Sequence, residues 1–165
     1  MLLTILLGIM MMAGLFLMLL SGVGFIQDKK FFSSAPKEVR DAVQPRAERF
    51  PGAHAIGWIL AVLSILMMLG ALAIGAAAGI HEGYSFGQFY VRFIIMLLLL
   101  KAYDIIFFDW VLLCNAGFNF FPHFYPETKP VLGHYLFGYN WKTHLAHVIA
   151  FVFISAGFAW VCTLI

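Results

Sequence analysis

The sequence predicts an all-α integral membrane protein with four transmembrane helices in one bundle, and three observations carry that prediction. Of 165 residues, 63% are hydrophobic and 11% charged, against about 25% charged in an ordinary soluble domain. Four segments, 2–26, 55–80, 89–113 and 145–165, each supply the ~20 apolar residues that a helix needs to cross a bilayer core. Of these, only 89–113 contains Asp, Glu, Lys or Arg. The connections leave no room for a soluble domain, so residues 1–165 form a single polytopic membrane domain.

The first span, LLTILLGIMMMAGLFLMLLSGVGFI, has no basic residue before it, a long apolar run and no small-residue cleavage site. It therefore reads as a retained helix rather than a secretory signal. Residues 27–54 form a basic loop with an amphipathic element: Ser34 offers a cap, Pro36 suits a first turn, and Glu38 suits the helix dipole. Pro45 ends that helix early, and Pro51-Gly52 leads into the second span. In the second span, Gly70, Ala73, Gly75 and Ala78 place small residues at helical spacing. Such residues let backbones approach closely in lipid, within one chain or in a homo-oligomer.

The segment 114–143, before the last span, is of another kind. It packs nine aromatic residues from Phe118 to Trp141 together with His123, Glu127 and His134. Pro122, Pro126 and Pro130 exclude a continuous helix, and the ring density suits a segment lying at a membrane interface. Lys and Arg gather on the cytoplasmic side, and the first loop holds Lys29, Lys30, Lys37, Arg40, Arg46 and Arg49 while HEGYSFGQ holds none. The first loop and the aromatic segment are thus predicted inside, with both termini outside, in the cell membrane. This topology accounts for the net charge of +2 and leaves no argument for nucleic acid.

The candidate site lies in LLLLKAYDIIFFDW, residues 97–110. Counted at about 100° per residue from Lys101, Asp104 falls near −60° and Asp109 near +80°, so the lysine projects between two carboxylates. Charged groups at this depth face the bundle interior and pair. The last span is expected to begin at HLAH, with His144 and His147 on one face of its first turn, facing Asp109 and Asp104 across a helix gap. The connecting segment brings His123, Glu127 and His134 to the same side.

Two chemistries suit these groups. Imidazole and carboxylate ligands bind divalent metals such as Zn or Fe, with His144, His147, Asp109, His123 and Glu127 as the candidate ligands. Without a metal, Asp104, Asp109, Lys101 and His144 serve as acid and base, since apolar surroundings favour the neutral forms of both carboxylate and amine. Tyr103, Tyr125 and Tyr139 add hydroxyl donors. The expected function is a membrane-embedded enzyme acting at the cytoplasmic interface on a lipid or other apolar substrate. A non-catalytic binding or assembly subunit and a small oligomeric transporter are the alternatives. No phosphate-cradling glycine loop, nucleophilic serine motif or paired-thiol motif is present.

Overall fold

The computed structural model describes residues 1–32, 35–44, 46–114, 118–133 and 140–165. Ser34, Pro45, His134 and Tyr139, each given a role above, lie outside the described residues. Every regular element among the described residues is helical. In chain order these are α1 (Leu2–Leu20), a π-helical continuation (Ser21–Ile26), a 3-10 turn (Lys29–Phe32), α2 (Lys37–Ala42) and α3 (Ala53–His81). Then come α4 (Phe86–Tyr103), a second π-helical continuation (Asp104–Cys114), α5 (Phe120–Phe124), a 3-10 turn (Pro126–Thr128) and α6 (Trp141–Thr163).

Leu2–Ile26, Ala53–His81 and Trp141–Thr163 are long and apolar enough to cross a membrane. Their outward faces are oily: Leu66 is 60% exposed, Phe153 71% and Trp160 60%. Patches of that extent on a soluble protein would drive aggregation, so lipid is their solvent. The chain is a multi-pass membrane protein.

Two compact units divide the chain. The first comprises Met1–Gly14, Ile65–Tyr103 and Asn140–Ile165. Within it α4 and α6 run antiparallel: Lys101 meets His147, while Phe93 meets Phe158 with ring centroids 5.6 Å apart. Residue numbers fall along one helix as they rise along the other. The core holds Leu7, Met11, Phe89, Phe93, Met96 and Ala159. On this part of α3 the buried small residues are Ala71, Gly75 and Gly79, so the expected stripe is displaced, and Ala73 lies exposed. The Phe89 ring rests on Gly79 so closely that a Cβ there would overlap it. Only glycine permits that approach.

The second unit comprises Leu15–Ser64 and Asp104–Tyr139. Its first helix ends where Gln27 turns left-handed at φ 55°, its N–H bonding the Gly22 carbonyl. The Ser21 hydroxyl donates to the Gly57 carbonyl at 2.7 Å, which ties the π turn to the start of α3. α2 is shorter than a stable isolated helix and is held by burying Val39. Pro36 occupies its N-cap, one position earlier than the first turn expected for it. The aromatic segment packs inward, with Phe121 and Tyr125 buried in a core with Val23, Val43, Leu112 and Leu113. Edge-to-face pairs such as Phe120–Phe124, at 5.3 Å, build it.

Candidate functional site

The buried residues of α4 are Phe89, Arg92, Phe93, Met96, Leu97 and Lys101. Their spacing of three and four marks a single helical face. Two of the six are cations, Arg92 at 3% and Lys101 at 5% exposure. The packed face of a largely apolar helix therefore carries two buried positive groups, and each is accommodated differently.

Lys101 meets the facing helix. Its Nζ lies 3.1 Å from His147 Nδ1. A nitrogen–nitrogen hydrogen bond needs one donor and one acceptor, so the pair holds one proton between the two atoms. Either the amine donates to a ring protonated on Nε2, or a ring protonated on Nδ1 donates to the amine. In the first arrangement the His147 proton sits on Nε2. The ring is exposed at the helix edge and lies nearly parallel to Phe151, with centroids 6.4 Å apart and planes at 22°. It is thus anchored on one side and open on the other.

Among the described residues, Arg92 is hydrogen-bonded by fixed groups. Its Nη1 donates to the Gly75 carbonyl and its Nη2 to the Tyr84 hydroxyl, each at 2.7 Å, and the guanidinium lies 4.2 Å from the centre of the Tyr84 ring. The nearest carboxylate oxygen, on Glu82, is 3.9 Å away on a half-exposed side chain. The hydrogen bond to Glu82 and burial push the Tyr84 hydroxyl above its usual range, against the Arg92 charge. The sequence pattern alone did not single out this network. The signal was nonetheless present, since Glu82 and Tyr84 sit in the short turn that returns the chain from α3 to α4.

The other sequence-predicted residues are distributed as follows. Asp104 begins the π-helical stretch and lines a cavity of about 190 Å3 walled by Leu15, Met18, Leu19, Val23 and Phe108. Asp109 and His144 are buried, at 9% and 8% exposure. Because residues 104–114 wind as a π-helix, with bonds from i to i+5, the rotation of 100° per residue does not carry through to Asp109. The placement of Lys101 between the two carboxylates therefore does not follow from that count.

Glu127 is a tie within the second unit. One carboxylate oxygen pairs with Arg46 and the other accepts the Gln44 N–H at 3.1 Å. Burial raises its pKa, but its own backbone N–H, that of Gln44 and the Arg46 charge outweigh this and hold it below the usual carboxylate range. Arg46 also covers the Tyr125 ring at 5.0 Å, and burial pushes that phenol far up. The exposed His123 ring stands edge-on to Phe124 at 4.9 Å.

Among the described residues no three His, Cys, Asp or Glu side chains are grouped to hold a metal ion. The ligand set suggested by the sequence is therefore not assembled there. Of the predicted site residues, Lys101 and His147 are brought into direct contact within the first unit, and acid/base chemistry needs no metal at such a pair. Comparison of the chain with protein-family models, curated proteins and solved structures gives no match.

Proposed function

We propose that this chain is a membrane-embedded enzyme acting on a lipid or other apolar substrate, with Lys101 and His147 as its acid/base couple. The contact between Lys101 Nζ and His147 Nδ1, at 3.1 Å, carries the reading. A lysine is rarely placed on a packed intramembrane face without a function, and here its partner is itself a proton carrier. α4 and its π-helical continuation form the third of four spans in chain order. The basic first loop and the aromatic segment lie on the cytoplasmic side, and both termini lie opposite.

Such a pair works as a relay. His147 Nε2–H gives its proton to a substrate oxygen approaching from the lipid side, and Nδ1 takes a proton from Lys101. The Nε2–H and Nζ–H bonds break as the O–H and Nδ1–H bonds form, leaving a neutral amine and the other imidazole tautomer. Reversal makes the same pair a base. Positioned proton transfer contributes about 100- to 10,000-fold to a rate.

The test is turnover in vesicles of phosphatidylethanolamine and phosphatidylglycerol carrying the full-length protein, followed by mass spectrometry of the lipids. Wild type is expected to form a product, and His147→Phe to form it at least about 100-fold more slowly. Equal rates would remove His147 from the chemistry. No lipid change with wild type would contradict the enzyme reading itself.

A further inference from the structure

The Arg92 network borders a second cavity, remote in purpose from the Lys101–His147 pair. This cavity, about 580 Å3, is lined by Thr4, Tyr84, Ser85, Gln88, Val91 and Arg92 among others. It falls within the size range of small-molecule sites, about 300 to 1,000 Å3.

The charge balance around Arg92 is incomplete. A guanidinium stays protonated in proteins. Three of its four contacts, a carbonyl, a hydroxyl and a ring face, are neutral. The fourth, Glu82, is 3.9 Å away and half exposed, so water weakens its pull. Arg92 is 97% buried by its 3% exposure, and its Nε is buried without a hydrogen-bond partner among the described residues. Burying a cation whose carboxylate partner is this distant and this exposed is costly. An anion brought by a ligand would relieve that.

Depth narrows the choice. Arg92 sits six residues into α4 from Phe86, about 9 Å along the axis, within reach of the headgroup layer for a long side chain. The Tyr84, Ser85, Thr4 and Gln88 side chains add neutral hydrogen-bonding groups around the opening.

We infer that this cavity binds the phosphodiester headgroup of an acidic phospholipid, with Arg92 as the counter-ion. The site is independent of the proposed catalytic pair. Its ligand is a bound lipid, which orders the α3–α4 turn rather than being converted.

The experiment uses the full-length protein in phosphatidylcholine bilayers containing spin-labelled phosphatidylglycerol or spin-labelled phosphatidylcholine, and reads the motionally restricted fraction of each. Wild type is expected to prefer phosphatidylglycerol about fivefold, the preference that one cation near an anionic headgroup provides. Gln88→Glu keeps an oxygen for the Ser85 N–H, which Gln88 Oε1 now accepts at 2.8 Å, as in a capping box. It adds a negative charge at the cavity, so the preference is expected to vanish while the helices remain. Arg92→Gln is expected to lose it as well. Equal restriction of the two lipids by wild type, or a preference surviving Gln88→Glu, would overturn the proposal. Displacement of labelled phosphatidylglycerol by millimolar inorganic phosphate would also overturn it, by making a free anion the ligand.

Discussion

Arg92 and Lys101 lie on the same buried face of α4, yet the protein treats them in opposite ways. Arg92 is held by a carbonyl, a hydroxyl and an aromatic face, none of which can take its charge. Lys101 is held by an imidazole, which can accept its proton and pass on another. One is a fixed charge that must be compensated; in the proposed relay the other is one half of a pair that moves a proton. The difference follows from the side chains, since guanidinium does not release its proton at accessible pH and an amine does.

The sharpest way to break this comparison is to exchange the chemistry at each position. Lys101→Arg keeps a positive charge but removes the transferable proton, and turnover in the vesicle assay is expected to fall about 100-fold or more. Helical circular dichroism should stay at the wild-type level. Turnover within twofold of wild type would show that charge alone suffices at Lys101.

Arg92→Lys tests the other side. An ammonium cannot reproduce the planar fork that serves the Gly75 carbonyl and the Tyr84 hydroxyl together. Loss of a charge-assisted hydrogen bond costs about 1.5 to 3 kcal/mol, to be read as a lowered unfolding temperature in detergent, with turnover unchanged. Slower turnover at unaltered stability would mean that the two basic residues are not separate in role.

Gly79→Ala sharpens the comparison through packing. The Phe89 ring leaves no space for a Cβ at Gly79, whereas at Gly75 the nearest atom, on Leu7, would be 3.4 Å away. Overpacking costs typically about 1 to 3 kcal/mol. Gly79→Ala is therefore expected to destabilise the protein clearly more than Gly75→Ala, because it separates α3 from α4 and strains the Arg92–Gly75 bond. Equal midpoints for the two variants would count against close helix contact at Gly79.

The smallest effect is expected at the partly exposed Arg46–Glu127 pair. Such pairs are worth about 1 kcal/mol or less, so Glu127→Gln should lower stability by no more than that near neutral pH. The Glu127 pKa is depressed in the folded chain, so its contribution is present above the ordinary carboxylate range and is lost as pH falls through the folded value. Unfolding midpoints of wild type and Glu127→Gln should converge on acidification, and a gap that widens in acid would reverse the sign of this linkage.

The helical membrane class was legible in hydrophobicity and length, because both reflect the bilayer as solvent. The ends of the helices were less so. α6 begins at Trp141 rather than Leu145, since Trp141 and Lys142 are compatible with a helix even though they do not belong in hydrocarbon. The shift places His147 six residues, about 9 Å, into its helix, deep enough to meet Lys101. The sequence places His147 against the aspartates, and the structure adds its contact with Lys101. The π-helical stretches at 21–26 and 104–114 have no signature in a pattern read at 3.6 residues per turn. The buried stripe on α3 was misplaced for a related reason: many small residues crowd residues 70–79, and composition alone does not choose among their faces. The Arg92 network depended on how the α3–α4 turn folds back, which span-by-span reading does not follow.

The central claim is that one proton is shared between Lys101 and His147, and nitrogen-15 resonance of the histidine ring in the full-length protein measures it most directly. In the neutral ring, His147 is expected to carry its proton on Nε2. Its Nδ1 should show the shift of an accepting nitrogen that changes in Lys101→Met. An Nδ1 shift identical in wild type and Lys101→Met, or a ring protonated on Nδ1 alone in both, would contradict the assignment and the relay built on it.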